Sequence, residues 1–293
     1  MELDYVKLKE IKPTLAGYIR ESQLLLKKSA IPDEKTVHDV RVLMKKSRAL
    51  LRQTAPQLVE TYHDRNITSL LEVGRIMSSW RETSVQRKTL KELRKKYPDI
   101  FSRLNENPML KLLLDKHRPV TEDPDKLKTA LEQIDTLLTS TGHRIRFQSM
   151  NKIDPRLLIK ELEISYNVVM DIYLSCRNNL KPLMLHKFRK KAKDFLFQLY
   201  IFRPLNPAVI KTLEKKLDSM TQNLGKFNDL TQIIRALEYN YKDETNLPAM
   251  DELIIKFHEA QDGYLSKVWP IAYHVFCPGN KLVNVLGFKL LVI

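Results

Sequence analysis

Between Val37 and Arg52 the chain reads VHDVRVLMKKSRALLR, and its His, Arg and Lys residues recur three and four positions apart. At about 100° per residue on an α-helix, His38, Arg41, Lys45, Arg48 and Arg52 fall in a stripe roughly 80° wide. No carboxylate lies inside that stripe, and Asp39 points to another face, so the (i, i+4) partners that would neutralise a merely solvated charge run are missing. Cations dominate the row. Its chemistry is electrostatic: it suits an extended anion with charges repeated along its length.

A second stretch repeats the pattern. Leu185 to Leu199 reads LHKFRKKAKDFLFQL, with Arg189 and Lys193 at the same offsets from His186 that Arg41 and Lys45 have from His38, and with Lys190 flanking the row. Solvated faces are the ordinary explanation of a single basic helix. Two copies with one spacing weigh against it. Asn228-Asp229 lies 147 residues after Arg81-Glu82 and His186 lies 148 after His38, so an internal duplication is the economical reading.

Positioning such rows requires helices with an apolar side. Val40, Leu43, Met44, Ser47, Leu50 and Leu51 form that side in the first copy, and Phe188, Ala192, Phe195 and Leu199 in the second. The rest of the chain follows the same period. Helices are expected from about Tyr5 to Ser29, from Asp33 through the basic row, from Pro56 to Trp80, and from Arg81 to the Tyr97-Pro98 stop. Further helices are expected over Asp99–Lys116, Pro124–Met150 and Pro155–Arg177, then after Ala208 and over Pro248–Lys267. The tail WPIAYHVFCPGNKLVNVLGFKLLVI is left without an assignment.

Composition bounds the partner. The 293 residues are 43% hydrophobic with only 7 Gly, as expected of a helical chain with a sizeable core. Lys and Arg number 50 against 35 Asp and Glu, a formal charge of +15 that favours polyanions. Cys176 and Cys277 have no metal-ligand spacing, and no run approaches a membrane span, so a cytoplasmic protein without a metal site is expected. P-loop, dinucleotide and zinc-protease patterns are absent from the sequence, and no enzyme activity is expected.

With these motifs assembled, the chain resembles the conserved histidine alpha-helical domain family, CHAD, over essentially its whole length. His38, Asp39, Arg41, Val42, Lys45 and Lys46 occupy the family's first basic motif, and Arg81-Glu82 stands where it has Arg-Asp. Leu185, His186, Arg189, Lys190 and Lys193 match the second basic motif, and Leu224, Gly225, Asn228 and Asp229 the Leu-Gly-x-x-Asn-Asp that follows. The resemblance implies an all-α fold of two helical bundles, 1–150 and 151–293, related by a pseudo-twofold axis around a basic central groove. It implies that this groove binds inorganic polyphosphate through His38, Arg41, Lys45, Lys46, Arg48, Arg52, Arg81, His186, Arg189, Lys190 and Lys193. It needs no cofactor, and it suits a binding or localising module at polyphosphate granules, alongside a polyphosphate-metabolising enzyme.

Several alternatives stay open. His38 and His186 either donate to phosphate or fasten their helices to neighbours. Lys46 lies off the stripe, Lys191 further still, and Arg81 either reaches the groove or pairs with Glu82. Asn228 and Asp229 are read as capping or orienting groups. Lys at 45 and 46 gives up the planar fork of Arg, and Asp194 interrupts the second row, so that row is expected to contribute less. A nucleic-acid-binding protein would interleave aromatics or base-reading amides with the cations, which these stripes lack, so nucleic acid is expected to bind only nonspecifically. A scaffold whose groove docks an acidic protein segment is the third reading.

Overall fold

The computed structural model describes residues 11–104, 107, 110, 111, 114, 123–150, 153–240 and 247–287, excluding the side chains at 79, 81–86, 239, 240 and 247. Every regular element among them is helical. In chain order they are α1 (Ile11–Leu26), α2 (Glu34–Thr54), α3 (Glu60–Ile76), α4 (Ser79–Lys96), α5 (Pro98–Arg103), α6 (Pro124–Phe147), α7 (Pro155–Asn178), α8 (Pro182–Gln198), α9 (Pro207–Asn240), α10 (Leu247–Phe276) and α11 (Leu282–Val285). Single 3-10 turns at Ala55–Gln57 and Leu199–Phe202 close α2 and α8.

The helix starts follow local chemistry. Asp33 caps α2 by accepting from the Thr36 N–H at 2.7 Å, and Asp123 and Asp154 cap α6 and α7 ahead of a proline in the first turn. Pro182 starts α8 in the same way. The expected break at Trp80-Arg81 falls earlier, because α3 ends at Ile76 and α4 has begun by Ser79. Pro270, with no N–H to donate, nonetheless lies inside α10, which continues to Phe276. The unassigned tail is thus helical to Phe276, turns at Gly279 with φ of 88°, and adds the short α11. Residues 1–10 of the expected first helix and 288–293 of the tail lie outside the described residues, as does most of the expected Asp99–Lys116 helix beyond α5.

Packing places the two basic helices at the centre. α2 packs on α1, α3, α4, α7 and α8, while α8 packs on α2, α7 and α9. Val37, Val40, Leu43, Met44, Leu50 and Leu51 of α2 and Leu185, Phe188, Ala192 and Phe195 of α8 are all buried. They belong to one core that runs from Ile11 to Leu286, within which Tyr166, Phe188, Phe195 and Phe276 meet with ring centroids 5.5–6.2 Å apart. The Tyr166 hydroxyl donates to the Val275 carbonyl at 2.7 Å, which satisfies that polar atom inside the core. A second, smaller core joins α4 and α5 to the far half of α9 and the near half of α10 through Leu90, Phe101, Leu230, Leu237 and Phe257.

Candidate functional site

An open cleft of about 560 Å³ lies where α2, α8 and α9 meet, beside Ser78. Its cations are Arg41 and Lys45 from α2, Arg189 and Lys190 from α8 and Arg235 from α9, with His186 among them. Asn228, Thr231 and Gln232 line the α9 wall, and Asp229 is the one carboxylate in the lining among the described residues. Five formal positive charges against one negative give the cleft a strongly positive field.

The two arginines are held alike. Arg41 donates from Nη1 to the Gly74 carbonyl on α3, and Arg189 donates from Nε to the Thr221 carbonyl on α9 at 3.1 Å. Each guanidinium is therefore fixed by the backbone of the adjoining helix. The second requires a glycine nearby: a Cβ at Gly225 would stand 3.0 Å from Nε and Nη2 of Arg189. An alanine there would press on the group the cleft presents.

His186 is half-buried beside Lys45, Arg189 and Lys190. Burial pushes its pKa down first, and the three cations push it further, against a hydrogen bond with Asn228. The imidazole is therefore neutral at pH 7 in the protein alone. An anion in the cleft would oppose that shift.

The other predicted residues go elsewhere. Arg48 does not line the cleft; it donates to the Leu70 carbonyl on α3 at 3.1 Å, and burial, then the neighbouring Arg52, pushes its pKa down to about 10. Arg52 pairs with Asp194 of α8 at 2.8 Å, and Lys193 pairs with Asp218 of α9 at 2.8 Å. Lys46 faces away, its ammonium 5.6 Å from the Tyr18 ring and 5.5 Å from the Tyr200 ring, and burial lowers its pKa. His38 is exposed on the first turns of α2 and does not line the cleft. Arg81 lies outside the described side chains.

Gln232 and Arg235 line the cleft although the sequence reading did not single them out. Their signal was present: Asn228, Gln232 and Arg235 are spaced by four and three, so they share one face of α9 with the Asn-Asp pair. Among the described residues no group of three or more His, Cys, Asp or Glu side chains could hold a metal ion. Cys176 is buried, and burial raises its thiol pKa to about 11. No described helix is long and apolar enough to cross a membrane.

The fold and the cleft together define an all-helical protein with two basic helices packed side by side. Comparison with known families gives the particular class: the CHAD domain family matches residues 19–238, and the chain belongs to that family. The family is linked to polyphosphate binding. No curated protein and no solved structure matches the chain.

Proposed function

We propose that this protein binds inorganic polyphosphate in the cleft between α2, α8 and α9, as a non-catalytic binding or localising module. The observation that carries the reading is the pair of arginines anchored on helix carbonyls, Arg41 on Gly74 and Arg189 on Thr221. Guanidiniums already held in place lose little side-chain entropy when an anion arrives. Lys45 stands one helical turn, about 5 Å, from Arg41, and Lys190 flanks Arg189, so successive phosphates of a flexible chain find successive cations. The Asn228 and Gln232 amides on the α9 wall add neutral donors suited to phosphate oxygens.

The same proposal includes an internal duplication. Helices α1, α2, α3 and α6 pack in a closed ring of neighbours, and α7, α8, α9 and α10 pack in a ring of the same order. The arginine anchors sit at matching places in the two rings, with the accepting carbonyl 33 residues after Arg41 and 32 after Arg189. On this reading 1–150 and 151–293 are two copies of one unit, and the basic groove is formed at their junction. A cytoplasmic location at polyphosphate granules, near an enzyme that makes or degrades the polymer, follows from the same ligand.

Calorimetric titration with long-chain polyphosphate, and with single-stranded nucleic acid of equal charge, at two salt concentrations tests the reading. Tight binding of polyphosphate with weak binding of nucleic acid is the expected result. Equal affinities that vanish together at moderate salt would reduce the cleft to a nonspecific field.

A further inference from the structure

A second groove runs between α1 and α6 and shares no lining residue with the cleft. The two helices are antiparallel there: Gln23 donates to Thr139 at 3.0 Å, while a Cβ on Gly142 would lie 3.7 Å from Ile19. Lining positions run from Lys12 to Gln23 on α1 and from Thr139 through α6 to Met150 just beyond its end. Each set recurs at three- and four-residue intervals over about three turns, roughly 16 Å. The groove is thus a straight trough parallel to two helix axes, with a volume of about 980 Å³.

Its floor is apolar and low, because Ala16 and Gly142 are small and Ile19 is buried. Phe147, 79% exposed, stands at its edge. Lys12, Arg20, His143 and Arg146 are distributed along both sides, and among the described residues no carboxylate lines the trough. Lys12, Arg20 and Arg146 enter no ion pair among the described residues. An exposed aromatic wall beside uncompensated cations is unusual for a surface that stays in water.

We infer that the α1–α6 groove docks an acidic amphipathic helix of a partner protein. A third helix laid along two antiparallel helices meets the floor with apolar residues at i, i+3, i+4 and i+7, and three turns of trough match three turns of ligand. Glutamates or aspartates flanking that apolar stripe face Lys12 and Arg20 on one side and His143 and Arg146 on the other. Charge complementarity fixes the sign of the partner and the trough fixes its shape. A bare phosphate polymer would leave the apolar floor and Phe147 unused, and a lipid surface is flat where this site is concave.

The test uses the full chain and three fluorescent peptides of about 18 residues, long enough for three turns and their caps. One is an amphipathic helix with a Leu stripe flanked by Glu, one is its scrambled isomer, and one carries Lys in place of every Glu. Binding is read by anisotropy. The acidic amphipathic peptide should bind at least about tenfold more tightly than the scramble, and the Lys peptide should not bind. Arg20→Glu with Arg146→Glu should weaken the acidic peptide by about tenfold or more and admit the Lys peptide. Phe147→Ala should weaken it about fivefold and leave polyphosphate binding unchanged. Failure of the acidic peptide to bind, equal binding of the scramble, or binding that responds to Arg189→Gln and not to the groove variants would overturn the inference. So would adsorption of anionic vesicles that depends on Phe147 and Arg146 when the peptide does not bind.

Discussion

Replacing Arg189 by Gln removes one charge from the cleft while keeping a polar side chain that extends as far as Nε. In contact with a phosphate, charges about 4 Å apart interact by about 1 kcal/mol in water and about 4 kcal/mol near a protein surface of lower dielectric. Arg189 is half-buried in an open cleft, so a loss of about 1–2 kcal/mol is expected, or roughly five- to thirtyfold in polyphosphate affinity. The logarithmic salt slope should shallow by about 0.7–0.9. Stability should change little. The bond to the Thr221 carbonyl passes from Nε to the Gln amide or is lost at a cost of about 0.5–1.5 kcal/mol, and the lowered positive charge of the cleft offsets part of any loss. Isothermal titration at about 50 and about 200 mM salt, with circular dichroism to verify folding, measures both quantities. A folded variant whose affinity stays within about twofold and whose slope is unchanged would show that the carbonyl-anchored arginine does not meet the ligand.

Other perturbations separate the site from its supports. Gly225→Ala should keep or slightly raise the melting temperature, since Ala favours helix by about 0.5–1 kcal/mol, yet lower polyphosphate affinity severalfold by displacing Arg189; equal affinity would refute the close-approach argument. His186 has a depressed pKa, so its contribution to stability is present above the unfolded value near 6.5 and declines as pH falls; His186→Gln should flatten the melting-temperature profile below about pH 6.5. Polyphosphate, which favours the charged imidazole, should bind with proton uptake below that pH, readable from titrations in buffers of different ionisation enthalpy. Arg48→Met should leave stability unchanged or improved and affinity within about twofold, because this half-buried charge serves α3; a tenfold loss would return Arg48 to the site.

Much of the scaffold was legible because its signals are local. Asp33, Asp123 and Asp154 announce helix starts by their own capping chemistry, and the apolar faces of α2 and α8 follow from period alone. The fate of each cation was not legible. Arg52 and Lys193 share the stripe with Arg41 and Arg189, but each ends on a carboxylate supplied by another helix, Asp194 and Asp218. Asp194 was noted as an interruption of the second row; its pairing with Arg52 depends on the contact of α2 with α8, which no single stretch encodes. Lys46 fits a family motif position, yet its angle on α2 carries it away from the cleft to Tyr18 and Tyr200. Motif matching reads order along the chain, whereas helical phase decides direction.

The continuous core has a consequence for how the protein is made. Val40, Leu43 and Met44 of α2 belong to the same packed cluster as Phe188 and Phe195 of α8, which are synthesised about 150 residues later. At roughly 5–20 residues per second, the first helices wait on the order of 10–30 s on the ribosome before α8 arrives to cover them. During that interval an apolar surface and a row of cations are exposed on one chain beside ribosomal RNA, the most concentrated polyanion nearby. Nascent α2 is therefore the segment on which co-translational trapping, or a chaperone's first contact, should fall.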